Sequence, residues 1–136
     1  MADAQNNTPE LWRGQLPFPG ADGHKYDRGH ALVLSGGPAS TGAARLSATA
    51  ALRIGAGLVT VASPASAIPI NAAQLTAVMV KQADTPDELT TLIDASRANS
   101  IVAGPGLGIG GNTPAKIQAL LKTNCGLVLD ADTLTS

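Results

Sequence analysis

Short apolar runs recur along this chain, each closed by a break in the pattern and followed by a helical stretch. Ala31-Leu32-Val33-Leu34, Leu58-Val59-Thr60-Val61-Ala62, Ser100-Ile101-Val102-Ala103 and Leu127-Val128-Leu129-Asp130 are largely apolar on consecutive positions. Strands buried on both faces read this way, because neither face alternates with water. Helical stretches separate them: Thr41 to Ile54, where Leu46, Ala50 and Ile54 recur at i, i+4 and i+8; a short one over 65 to 74; Pro86 to Arg97; and Pro114 to Lys122. A further strand is expected near Ala77 to Val80. Strands joined through helices run parallel, with the helices covering both faces of the sheet. The fold class is therefore α/β.

Composition sets limits on this sheet. Aromatic residues are only 2% of the chain while hydrophobic residues reach 44%, so the core is built from Ala, Val, Leu and Ile. At 136 residues, one domain is the ceiling, and the chain is short for an α/β enzyme with a substrate cleft. A formal net charge of −1 with no run of Lys or Arg argues against nucleic acid or an acidic membrane surface as partner. Cys125 is the only cysteine, which excludes an internal disulfide and a Cys-x-x-Cys metal site. No apolar stretch reaches the roughly 18 residues of a membrane span, and Met1 to Asn7 shows no leader pattern. A cytoplasmic location is expected. Residues 1–24, rich in Pro, Gly, Asn and Asp with Leu11, Trp12, Leu16 and Phe18 in no periodic order, read as a linker or N-terminal extension.

In open α/β sheets ligands sit beyond the carboxyl ends of the strands, so Ser35 to Gly42, Gly104 to Gly111 and Asp130 to Thr133 are expected to converge on one cleft. Gly37-Pro38-Ala39-Ser40-Thr41-Gly42 has the glycine spacing of a Walker A loop, but Ala43 and Ala44 stand where Lys and Ser/Thr belong. What remains is a small-residue loop opening a helix, suited either to an anion or simply to turning the chain. Gly106 to Gly111 spells G-x-G-x-x-G, with Asp130 at the end of the next strand. A Rossmann reading is disfavoured, because Pro105 occupies the tight first turn and the motif falls in about the fourth β-α unit. Asn112 or Thr113 is expected to cap the helix that follows, with Pro114 at its first position. Asp130 and Asp132 could orient a hydroxyl or, through water, Mg2+, or could serve as turn formers. His24 and His30 read as surface or linker histidines without a metal, and no G-x-S-x-G, HExxH or Cys/His pair supports covalent acyl chemistry.

The run Lys25-Tyr26-Asp27-Arg28-Gly29-His30-Ala31-Leu32-Val33-Leu34-Ser35-Gly36-Gly37, then Thr41 to Leu46, Ala51 to Val61, Gly104-Pro105-Gly106-Leu107-Gly108 and Leu129-Asp130-Ala131-Asp132 resembles the ADP/ATP-dependent NAD(P)H-hydrate dehydratases, enzymes of the ribokinase-like fold. The resemblance runs from Lys25 to the end of the chain, and Leu11 to Asp22 resembles the connector that follows an epimerase domain in bifunctional members. It implies a lyase that restores NADH or NADPH from the hydrates NADHX and NADPHX, with ADP or ATP as cofactor and Mg2+ as its companion. It also implies that the full-length form is a homo-oligomer. Ala44 and Gly106 match positions that touch the hydrated cofactor, and Gly104 and Asp130 are added to them as cofactor-binding candidates.

The same resemblance marks a departure. The family's His-Pro-Gly-Glu, Lys-Gly-x-x-Thr and Gly-Thr-Gly-Asp segments do not occur here, and the last supplies the catalytic aspartate and anion hole. The expectation is thus the N-terminal half of a dehydratase domain over 25–136, with no catalytic residue of its own and no turnover. Alternatives are a vitamin or thiazole kinase of the same fold, or a non-catalytic nucleotide-binding module.

Overall fold

The computed structural model describes residues 4–16, 18, 20 and 22–136; positions 1–3, read for a leader, and 17, 19 and 21 of the expected linker lie outside the described residues. The chain begins with a single helical turn, α1 (Pro9–Trp12), and a 3-10 turn, Arg13–Gln15, both exposed. A region expected as linker thus holds short helical turns. After a second 3-10 turn (Lys25–Arg28) come β1 (His30–Leu34), α2 (Gly42–Ile54), β2 (Leu58–Ser63), α3 (Ile68–Gln74), β3 (Met79–Gln82), α4 (Pro86–Ser96), β4 (Ser100–Ala103), α5 (Thr113–Leu120), β5 (Gly126–Leu129) and α6 (Asp132–Thr135). β3 starts two residues later than the apolar pattern suggests, and β5 lies one residue earlier than expected.

The strands form one sheet in the order β3-β2-β1-β4-β5, and every pairing is parallel. From β1 the sheet grows one way through β2 and β3 and the other way through β4 and β5, so its order reverses between β1 and β4. Neighbouring residues of β1 serve opposite faces. Leu32 and Leu34 pack with Ile101, Leu89, Ile93 and Leu120, which brings in α4 and α5. Ala31 and Val33 pack with Val59, Val61, Ala44 and Ala48, which brings in α2. Neither cluster contains an aromatic side chain. Trp12, Phe18 and Tyr26, the aromatic residues of the chain, are all exposed.

The ends of the helices follow local chemistry. Thr85 and Glu88 cap α4 reciprocally: the Thr85 hydroxyl accepts from the Glu88 N–H at 3.2 Å, and the Glu88 carboxylate accepts from the Thr85 N–H at 3.2 Å. Gly55, at φ +118°, ends α2 in the left-handed region.

The expected apolar face of α2 is reversed in the fold. Leu46 and Ile54 are 75% and 86% exposed, and Ala44 and Ala48 are buried instead. Val33, Val59 and Val61 already fill the space above the sheet, so the helix approaches chiefly on the methyl groups of Ala44 and Ala48, with Leu52 half-buried beside them and Leu46 and Ile54 turned to water. Among the described residues no helix is long and apolar enough to cross a membrane.

Candidate functional site

The reversal of strand order between β1 and β4 opens a crevice at their carboxyl ends, and the loops expected to converge do meet there. A Cβ on Gly36 would lie 1.8 Å from the Gly106 carbonyl oxygen, so the first two glycine loops touch backbone to backbone. Gly106 is in turn seated on Ser40. Gly104, at φ +147°, lies against the Asp130 carbonyl, which a Cβ would approach to 1.9 Å. The Gly108 N–H donates to Asp132 Oδ2 at 2.8 Å, which ties the second loop to the third. Gly104, Gly106 and Asp130 are thus gathered in one place.

Beside this junction lies a cavity of about 280 Å³ lined by Ser35, Gly37, Pro64, Gly110, Thr113 and Lys116, among others. At Gly37, Gly110 and Gly111 the position of a Cβ faces open space, so a ligand can approach these backbones closely. A larger groove of about 620 Å³, between α4 and α5, includes residues such as Ile93, Lys122 and Cys125 and touches none of the three loops.

Of the four cofactor-binding candidates, Ala44 alone stands apart. Its side chain is 3% exposed and packed in the core, so any contact it offers a ligand comes from its backbone. Asp130 is exposed, and its backbone carbonyl forms the turn into α6, accepting from the Thr133 N–H at 3.1 Å and from the Thr133 hydroxyl at 2.8 Å. Asp132 is half-buried, with one carboxylate oxygen engaged by Gly108. Among the described residues no three His, Cys, Asp or Glu side chains cluster as a metal site. Asn112 occupies the cap position of α5, but its side chain makes no capping hydrogen bond and donates instead to the Asp84 carbonyl at 3.4 Å.

The histidine reading needs correction. His24 is exposed, its Nδ1 accepting from the Tyr26 N–H at 3.4 Å, but His30 is a buried member of β1. The His30 Nδ1 lies 2.7 Å from the Ser96 carbonyl, which only accepts, so Nδ1 donates there, and Nε2 shares a hydrogen bond of 2.8 Å with the Thr60 hydroxyl. It joins β1, β2 and the end of α4 below the sheet's amino ends.

Lys116 and Asn71 escaped the sequence reading. Lys116 sits one helical turn beyond Asn112, and its Nζ donates to the Ala83 carbonyl at 2.8 Å. Burial lowers its pKa from the ordinary lysine value, and the charges of Asp84 and Glu88 oppose that shift. Asn71, on α3, is completely buried, and its Nδ2 donates to the Ser35 and Ser63 hydroxyls, each at 3.0 Å, at the carboxyl ends of β1 and β2. An asparagine in a short helix gives no sign in sequence that it braces two strand ends.

Comparison with known proteins places this arrangement in a family. The sequence pattern of the NAD(P)H-hydrate dehydratases matches residues 31–136. A bifunctional NAD(P)H-hydrate repair enzyme of Coxiella burnetii is 40% identical over 126 residues, which cover 90% of this chain and 25% of that enzyme. An ADP-dependent (S)-NAD(P)H-hydrate dehydratase of Xanthomonas campestris is 34% identical, over 88% of this chain and 44% of that enzyme. The crystal structure of an ADP/ATP-dependent NAD(P)H-hydrate dehydratase from Bacillus subtilis, co-crystallised with ATP and Mg2+, superposes with a TM-score of 0.76 at 28% identity, covering 93% of this chain and 46% of the other. A ribokinase-like protein of Enterococcus faecalis shares the fold at a TM-score of 0.73 and 24% identity, over 87% of this chain and 42% of its own. The chain therefore spans a quarter to under half of the length of these relatives. With matching strands, loops and sequence pattern over most of its length, the chain belongs to the NAD(P)H-hydrate dehydratase family.

Proposed function

We propose that this chain forms one wall of the site at which a hydrated reduced nicotinamide cofactor, NADHX or NADPHX, is bound for nucleotide-dependent dehydration. The observation that carries this reading is the junction of the Gly36, Gly106 and Gly104 backbones beside a cavity in which Gly37, Gly110 and Gly111 face open space. A dinucleotide needs such a surface, because its phosphates and ribose edges are bound best by backbone groups brought within hydrogen-bonding distance.

The roles assigned to this chain are binding and orientation. Gly104 and Gly106 hold the second loop against its neighbours, and Gly37, Gly110 and Gly111 offer approachable backbone. Ala44 contributes through its backbone at the start of α2. Lys116 adds positive charge to the wall, offset by Asp84 and Glu88. ADP or ATP, when bound, supplies the phosphoryl group that makes the C6 oxygen of the hydrate a good leaving group. Asp130, exposed at the end of β5, is assigned to the bound cofactor, and no residue of this chain is assigned as a direct ligand of Mg2+. No residue of this chain is assigned the proton transfer, so the catalytic groups are assigned to the part of the enzyme that the relatives have and this chain does not span.

Titration of the chain with NADPH hydrate, followed through the amide resonances of Gly36, Gly37, Gly106 and Gly110, tests the reading. Shifts confined to these loops are expected. Saturating hydrate without any shift would sink it, and recovery of reduced-nicotinamide absorbance by this chain alone with ADP or ATP would overturn the assignment of catalysis elsewhere. Phosphorylation of a vitamin alcohol by an enzyme extended to the relatives' length would favour a kinase instead.

A further inference from the structure

Asn71 lies beneath the loop junction in an arrangement that packing alone does not explain. Its amide nitrogen donates to Ser35 Oγ and Ser63 Oγ, both at 3.0 Å, while its Oδ1 is buried with no hydrogen-bond partner among the described residues. Either orientation of the amide leaves one polar atom unmatched. A buried, half-satisfied amide destabilises a fold relative to an apolar side chain of similar volume.

The two serines pass the restraint upward. The Ser35 hydroxyl donates to the Gly36 carbonyl at 3.2 Å, and the Ser63 hydroxyl donates to the Pro64 carbonyl at 3.0 Å. Gly36 is the residue pressed against the Gly106 carbonyl, and Ser35, Gly36 and Pro64 all line the cavity. A continuous hydrogen-bonded path therefore runs from Asn71 through Ser35 to the point where the first and second glycine loops touch.

We propose that Asn71 is a positioning residue for the ligand wall: through Ser35 it fixes the Gly36 peptide and so sets the spacing of the two glycine loops for a dinucleotide. This rests on the assignment of the junction as the hydrate site. It goes beyond that assignment in naming a residue that touches no ligand yet governs affinity.

The experiment compares wild type, Asn71→Leu, Ser35→Ala and the double variant in the full chain. Amide hydrogen exchange without ligand is read first. In Asn71→Leu, Gly36, Gly37 and Gly106 are expected to exchange faster, while the α4 amides of Leu89 and Ile93 and the thermal midpoint hold or rise. Unchanged glycine exchange would overturn the proposal, as would a fall in the midpoint together with general loss of protection, which marks a merely structural role.

Affinity for NADPH hydrate is read second. Asn71→Leu and Ser35→Ala are each expected to weaken it about tenfold, and the double variant no further, because residues in one hydrogen-bond network are not additive. Additive losses would overturn the path through Ser35. If wild type binds no hydrate, the site assignment fails by itself, and the exchange measurement still decides the role of Asn71.

Discussion

Single residues at this junction are held by contacts that leave little room for substitution. Gly104 combines a positive φ with an Asp130 carbonyl where its Cβ would stand. Gly104→Ala is therefore expected to cost on the order of 3 kcal/mol, from backbone strain and overlap together, read as a lower urea midpoint with unchanged slope. His30 is the buried counterpart. In His30→Phe the Ser96 carbonyl and Thr60 hydroxyl each lose their partner. With about 1–3 kcal/mol for each polar group so stranded, a loss of about 2–6 kcal/mol is expected in the same measurement. The difference in legibility between these residues has a physical cause. The glycines were readable because a turn between strand and helix leaves a local mark, whereas His30, Asn71 and Lys116 owe their roles to partners 66, 36 and 33 positions away in sequence.

At the scale of elements, type and order were readable, but the direction in which a helix faces was not. Short apolar runs between glycine and proline breaks located the strands, since a doubly covered strand carries no polar alternation. In α2 the same reasoning failed. Alanines occur around the whole helix, so Leu46 and Ile54 dominated the apolar pattern, although the sheet selects for small side chains at contact. Paired substitutions separate these two faces. Ala48→Leu, at a fully buried position, is expected to cost about 1–3 kcal/mol by overpacking. Leu46→Gln and Ile54→Gln, on the exposed face, are expected to stay within about 0.5 kcal/mol of wild type. Urea denaturation of the three variants checks the orientation of the helix, and a reversed ranking would contradict it.

The whole molecule is a parallel sheet with two different edges, and that difference has consequences for association. β3 ends one side with Met79-Val80-Lys81-Gln82, where Lys81 and Gln82 are exposed and a charge guards the strand. β5 ends the other with Gly126-Leu127-Val128-Leu129, which carries no charge and leaves Val128 59% exposed. Unpaired N–H and C=O groups on an apolar edge invite a strand from another copy, and natural edges suppress this with charge, often lysine. The chain is therefore expected to associate through β5 as its concentration rises, seen as an increasing weight-average mass in sedimentation equilibrium. Val128→Lys should hold it monomeric at the same concentrations, whereas Met79→Lys, on the edge already guarded, should not. If Met79→Lys removes the association and Val128→Lys leaves it intact, the contact lies on the β3 side and the argument from edge charge is wrong.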